Sequence, residues 1–74
     1  MPVLSELAKG ERAIIESFSD YEVSLKLMEM GCIPGEVVEV MRIAPLGDPI
    51  AILISGYQLS LRKSEAKIIN VRRY

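Results

Sequence analysis

Hydrophobic positions in this chain fall into short β-branched runs cut by turn residues, with one stretch that switches to a helical period. Residues 12–18, 36–43, 50–55, 57–62 and 68–71 read as strands. In 57–62, Tyr57, Leu59 and Leu61 point one way, and Gln58, Ser60 and Arg62 the other. Lys9-Gly10, Ile33-Pro34-Gly35 and Gly56 supply turns between these runs. The helical stretch opens on Ser19-Asp20-Tyr21-Glu22, which predicts a capping box with Ser19 as N-cap and Glu22 at N3. Phe18 and Val23 are placed to close a hydrophobic staple over it. The helix runs to about Met30, with Gly31 as its stop and Pro34 forbidding continuation. Leu4 and Leu7 predict a helical turn that plugs one end of the domain, and residues 63–67 a single helical turn before the last strand. The result is one mainly β domain over residues 1–74, with five strands and one inserted α-helix.

The helix is more apolar than a single face requires. Val23, Leu27 and Met30 form one stripe; Tyr21, Leu25 and Met28 form a second on nearly the opposite side. Glu22, Lys26 and Glu29 make the polar strip between them. One stripe covers the core. The other is either covered by Val3, Leu4 and Leu7 or left for a partner.

A helical turn between the last two strands is a mark of SH3-like barrels. Five short strands closed into such a barrel would also hide the sheet edges that a small chain must protect. The fold class is therefore a small SH3-like five-stranded barrel with one inserted helix and a short helical turn before the last strand.

Composition narrows the chemistry. A lone cysteine permits no internal disulfide and suits a reducing compartment. No basic-then-apolar leader and no apolar run of membrane-spanning length is visible, so the chain reads as soluble and cytoplasmic, without direct membrane insertion. With no histidine, the usual general base and the commonest metal ligand are missing. Cys32 with Met28, Met30 and Met41 is better read as core than as a soft-metal cluster. No nucleophile has an evident base beside it, and no phosphate-cradling glycine loop is present. The expectation is a binding protein rather than an enzyme, with no cofactor and no metal site.

The formal net charge of −1 hides an asymmetry. Residues 1–41 carry Glu6, Glu11, Glu16, Asp20, Glu22, Glu29, Glu36 and Glu39 against Lys9, Arg12 and Lys26. Residues 42–74 carry Asp48 and Glu65 against Arg42, Arg62, Lys63, Lys67, Arg72 and Arg73. Two readings are open: a charged surface closed on itself, or one basic region offered to a partner.

The segment Ala44-Pro45-Leu46-Gly47-Asp48-Pro49-Ile50 stands out between two apolar runs. Two prolines, a glycine and an aspartate cannot continue a strand, so this is a stiff, shaped loop. Such a loop loses little conformational entropy when a partner docks. Pro45, Leu46, Gly47, Asp48 and Pro49 are therefore candidate partner-binding residues, with Tyr21, Leu25 and Met28 as a second candidate patch. The alternative is a turn that only sets hairpin geometry, with Asp48 capping the loop's own backbone.

In order and spacing these segments resemble the FeoA family, small cytoplasmic proteins associated with the bacterial ferrous iron transporter FeoB. The likeness rests on Leu4-x-x-Leu7 followed by Gly10, and on Leu27-Met28-Glu29-Met30-Gly31. It continues through Ile33-Pro34-Gly35, the loop 44–50, and Leu59-Ser60-Leu61-Arg62-Lys63-Ser64-Glu65-Ala66. The resemblance implies an SH3-like barrel with an added helix, and an accessory or regulatory role in ferrous iron uptake through contact with FeoB's cytoplasmic GTPase region. Two further readings compete with it. Nucleic-acid binding would use Arg62, Lys63, Lys67, Arg72 and Arg73. It is disfavoured by the acidic first half and by the lack of an aromatic platform beyond Phe18, Tyr21, Tyr57 and Tyr74. Self-association into a homo-oligomer would pair the oppositely charged halves.

Overall fold

The computed structural model describes residues 2–74. Five antiparallel strands, β1 (Arg12–Phe18), β2 (Val37–Ile43), β3 (Ile50–Ile54), β4 (Tyr57–Leu61) and β5 (Ile69–Arg73), form one sheet in the order β4-β3-β2-β1-β5. The helix α1 (Tyr21–Glu29) lies between β1 and β2, and the four-residue α2 (Lys63–Ala66) between β4 and β5. A 3-10 turn at Leu4–Glu6 precedes β1.

Alternation decides which side of the sheet becomes the core. Val38 pairs with Ile54 and Val40 with Ile52, so both pairs project from the same face, and all four are buried. From β1 and β5, Ala13, Ile15, Ile69 and Val71 project from the same face and join them, with Ala13 directly opposite Val38. Leu27 from α1, Ala66 from α2, and Leu4 and Leu7 from the N-terminal turn close the cluster. Bulges at Glu16 in β1 and Met41 in β2 shift register and add the bend that rolls a five-stranded sheet around this core. The two outermost strands, β4 and β5, do not pair with each other. α2 spans the gap between them, and the N-terminal turn packs against α2 and β5. Residues 2 and 3 cover part of the β5 edge: Val71 N–H donates to the Pro2 carbonyl at 3.0 Å, and Val3 bridges Asn70.

The helix starts one residue later than the sequence pattern predicts. Asp20, not Ser19, is the N-cap, its Oδ1 accepting Val23 N–H at 3.1 Å. Ser19 is occupied elsewhere, because its N–H donates to the Ile68 carbonyl at 2.9 Å and extends the contact between the end of β1 and the approach to β5. The predicted capping box with Glu22 is therefore absent, while Phe18 and Val23 still pack on the core as partly buried side chains. At the other end Gly31 takes φ of +109°, the left-handed stop that the glycine permits.

Two further boundaries move. The last strand runs past the expected end at 71: the basic Arg72-Arg73 pair belongs to β5, with Arg72 opposite Ile14 and Arg73 opposite Ala13. Leu4 and Leu7 are buried in the core rather than laid over the second stripe of α1. Tyr21 stays 77% exposed and Leu25 is also exposed.

Candidate functional site

The loop between β2 and β3 is held at three points. Gly47 N–H donates to the Ala44 carbonyl at 2.7 Å, closing a tight turn. Ala44 N–H donates to the Pro49 carbonyl at 3.1 Å, tying the two stems. Asp48 Oδ1 accepts the backbone N–H of Lys63 at 3.0 Å. Lys63 is the first residue of α2, so this carboxylate supplies the cap that Arg62, at the N-cap position, has no side-chain acceptor to provide. Asp48 thus clamps the loop to the helix beside it. Gly47 has φ of +86°, and the Lys63 ammonium lies over it. Pro45 and Pro49 are exposed, and Leu46 at the tip is 93% exposed, an isolated apolar side chain on a rigid support.

α2 is in turn tied to α1. Glu65 accepts Arg62 N–H at 2.8 Å through Oε1 and the Lys26 ammonium at 3.1 Å through Oε2. Chiefly the Arg62 N–H, and then Lys26, hold the Glu65 carboxyl below the usual range against the opposing effect of burial. Cys32 is fully buried under this region; burial first, and the Glu65 charge second, push its thiol pKa up, so it is a neutral core side chain. Among the described residues no group of three or more His, Cys, Asp or Glu side chains is gathered to hold a metal ion.

The two candidate patches do not merge. The loop reaches α1 only through α2, by Asp48–Lys63 and then Glu65–Lys26. Tyr21, Leu25 and Met28 centre about 140° around the helix from Lys26, on the flank that faces away from α2. Tyr21 and Leu25 are exposed and Met28 is half-buried. The Asp48–Lys63 tie had no local signal, because its partners are fifteen residues apart. The Glu65–Arg62 contact had one: a Glu three residues after the position that begins a helical turn is the spacing of a reciprocal cap.

Charges pair largely across the two halves. Arg72 meets Glu16 at 3.0 Å, Arg73 meets Glu11 at 3.4 Å, Lys26 meets Glu65 at 3.1 Å, and within the first half Arg12 meets Glu39 at 3.8 Å. Arg72 and Arg73, two of the five cations of the nucleic-acid reading, are thus engaged within the chain.

The chain is thus a small SH3-like β domain with an added helix, whose clamped loop presents one exposed leucine. The chain belongs to the FeoA family, whose domain model matches residues 3–73; this is a family of small accessory transport domains rather than of known enzymes. It is 40% identical to the solved FeoA protein of Chlorobium tepidum, with a TM-score of 0.88 over 97% of this chain and 70% of that one. It is 30% identical to a Stenotrophomonas maltophilia FeoA, solved as a zinc complex and described as a prokaryotic SH3 domain protein, with a TM-score of 0.81 over 96% of this chain and 89% of that one. Over 69 residues it is 39% identical to an Fe(2+) transport protein A/Fe(2+) transporter FeoB fusion protein of Porphyromonas gingivalis. That match covers 92% of this chain but only 8% of the fused relative. No helix among the described residues is long and apolar enough to cross a membrane.

Proposed function

We propose that this chain, a single FeoA-like unit, is a cytoplasmic accessory protein of bacterial ferrous iron uptake that contacts the cytoplasmic GTPase region of a FeoB-type transporter. The fused relative supports the pairing, since a covalent fusion holds two modules at high effective concentration and preserves a contact that is weak when they are separate. The docking element is the loop of Pro45, Leu46, Gly47, Asp48 and Pro49. The observation that favours it is Leu46, almost fully exposed on a backbone fixed by Asp48, so docking orders little that is not already ordered. Tyr21, Leu25 and Met28 form a separate second contact on the far flank of α1. The chain acts by binding, without chemistry of its own.

The test is a titration of nitrogen-15-labelled protein with the soluble FeoB GTPase domain of the same organism, nucleotide-free, with GDP, and with a non-hydrolysable GTP analogue. Shifts confined to residues 44–50 and to the Tyr21, Leu25 and Met28 flank are the expected result. An absence of shifts at millimolar partner would remove the GTPase region as the target and return the loop to a structural turn.

A further inference from the structure

Outside the four ion pairs, charge of opposite sign lies on either side of the seam between α1 and α2, with Glu6, Lys9, Glu36 and Arg42 elsewhere on the surface. On α1, Tyr21, Leu25, Glu29 and Glu22 fill a continuous exposed arc of about 100°. Neither glutamate has an ion-pair partner among the described residues, and Asp20 adds a third negative charge at the start of the helix. Next to this arc lies Lys26, whose ammonium is bound to Glu65 and forms the seam between α1 and α2. Beyond the seam come Lys63 and Lys67, one turn apart on α2 (Lys67 N–H donates to the Lys63 carbonyl at 3.0 Å), with Arg62 just before them. None of these three cations has an ion-pair partner among the described residues. The Lys63 ammonium reaches over Gly47 and so borders the exposed Leu46.

From α1 across the seam to α2 and the loop, the surface therefore reads acidic and apolar, then neutral, then basic and apolar, with Asp48 the one acid at the basic end. We propose that it is an interface between two copies of this chain, related by a two-fold axis through the Lys26–Glu65 seam. The Glu22 and Glu29 face of each copy lies against the Arg62, Lys63 and Lys67 face of the other. Tyr21 and Leu25 are covered by the partner's loop. A basic partner would satisfy only α1, and an acidic partner or an anionic lipid surface only α2. A second copy satisfies both at once, because a surface with opposite charge at its two ends is self-complementary under a two-fold rotation. The charge layout carries this interface independently of the transporter contact. It uses residues also assigned to the transporter contact, so self-pairing and partner binding exclude one another, and the concentration of the free protein sets how much surface is available.

The experiment is sedimentation velocity of the purified chain from micromolar to millimolar concentration, at low and high salt, with circular dichroism confirming the fold of each variant. The wild type is expected to dimerise at low salt and to lose about tenfold or more in affinity at high salt. Glu22→Lys with Glu29→Lys is expected to be monomeric, as is Arg62→Glu with Lys63→Glu. The variant carrying all four substitutions is expected to pair with itself again. A wild type that stays monomeric at millimolar concentration in low salt overturns the proposal, as does a dimer indifferent to salt or a four-fold variant that does not recover. Vesicles of phosphatidylcholine and phosphatidylglycerol form a control arm: a monomeric wild type that binds them and loses binding on Arg62→Glu with Lys63→Glu would assign the basic face to lipid and overturn self-pairing.

Discussion

Replacing Asp48 with alanine removes one acceptor and nothing from the core. Its carboxylate lies 3.0 Å from Lys63 N–H, the first amide of a helix only four residues long. A helix that short makes few internal bonds, so each orphan N–H at its start depends on an outside acceptor. Losing a cap of this type costs about 1 kcal/mol, in a range of about 0.5–2. In a domain of this size each kcal/mol lowers Tm by about 4–8 °C. Asp48→Ala is therefore expected to melt about 4–8 °C below the wild type at neutral pH, followed by circular dichroism, with faster hydrogen exchange at the Lys63 amide. Asp48→Asn keeps the acceptor and should stay within a few tenths of a kcal/mol of the wild type. The same change frees the loop from α2, so in the proposed transporter contact docking must order it anew at about 1 kcal/mol per residue fixed, and affinity for the transporter domain should fall about fivefold or more. If Asp48→Ala melts with the wild type and Lys63 exchange is unchanged, the carboxylate is solvated, the clamp contributes nothing, and the account of a pre-ordered loop is wrong.

Three other outcomes follow from the same region. Glu65 has its pKa lowered by folding, so its bonds stabilise the protein above the unfolded carboxylate value of about 4.3 and lose that effect as pH falls through the lower folded value. Urea unfolding should show Glu65→Gln weaker than the wild type by about 1 kcal/mol at neutral pH, with the gap closing as pH falls below the unfolded carboxylate value. The Cys32 thiol has its pKa raised, so its neutral form is stabilising below the unfolded thiol value of about 8.5 and that contribution is lost as pH rises through the folded value. A thiol reagent should label it slowly in the native protein and rapidly in denaturant. Gly47→Ala should lose about 1–2 kcal/mol, from the left-handed φ rather than from a clash, because a Cβ there would meet the Lys63 ammonium at an ordinary 3.7 Å. Adding Lys63→Ala should accordingly fail to rescue it in a thermal melt.

The fold was legible wherever local chemistry and tertiary packing agree. Val37–Ile43 and Ile50–Ile54 are β-branched runs with a buried face, and Gly31 stops α1 because a left-handed stop is what that position requires. The misreadings all trace to contacts made at long range. Ser19 and Asp20 are equally good caps in isolation, and the choice between them falls to the Ile68 carbonyl, far away in sequence. Arg72 and Arg73 look like a solvated tail until β1 lies beside them with Glu16 and Glu11 in reach. The candidate loop could be found from its prolines and glycine, whereas its clamp could not, because neither Asp48 nor Lys63 carries a sign of the other.

The charge asymmetry of the sequence shows how folding redistributes a pattern without erasing it. Antiparallel pairing brings the basic β5 against β1, and Glu16 in that strand and Glu11 just before it take up Arg72 and Arg73. The seam between α1 and α2 takes up Lys26 and Glu65. Exposed pairs of this kind contribute about 0–1 kcal/mol each, so stability is not their main consequence. What they do is remove the ends of the chain from the count of free charge. Part of the remainder flanks that seam, Glu22 and Glu29 on the outer arc of α1 and Arg62, Lys63 and Lys67 at α2, each group beside an apolar side chain that the core does not use, while Glu6, Lys9, Glu36 and Arg42 lie elsewhere and Asp48 sits in the loop. Generic surface charge is interspersed in sign and repels non-specific partners; segregated charge beside exposed Tyr21, Leu25 and Leu46 selects an orientation. The proposed interface lies at α1, α2 and the loop, so a substitution on the outer face of β2 and β3, such as Leu53→Ser, should leave association untouched while the four α1 and α2 charges govern it.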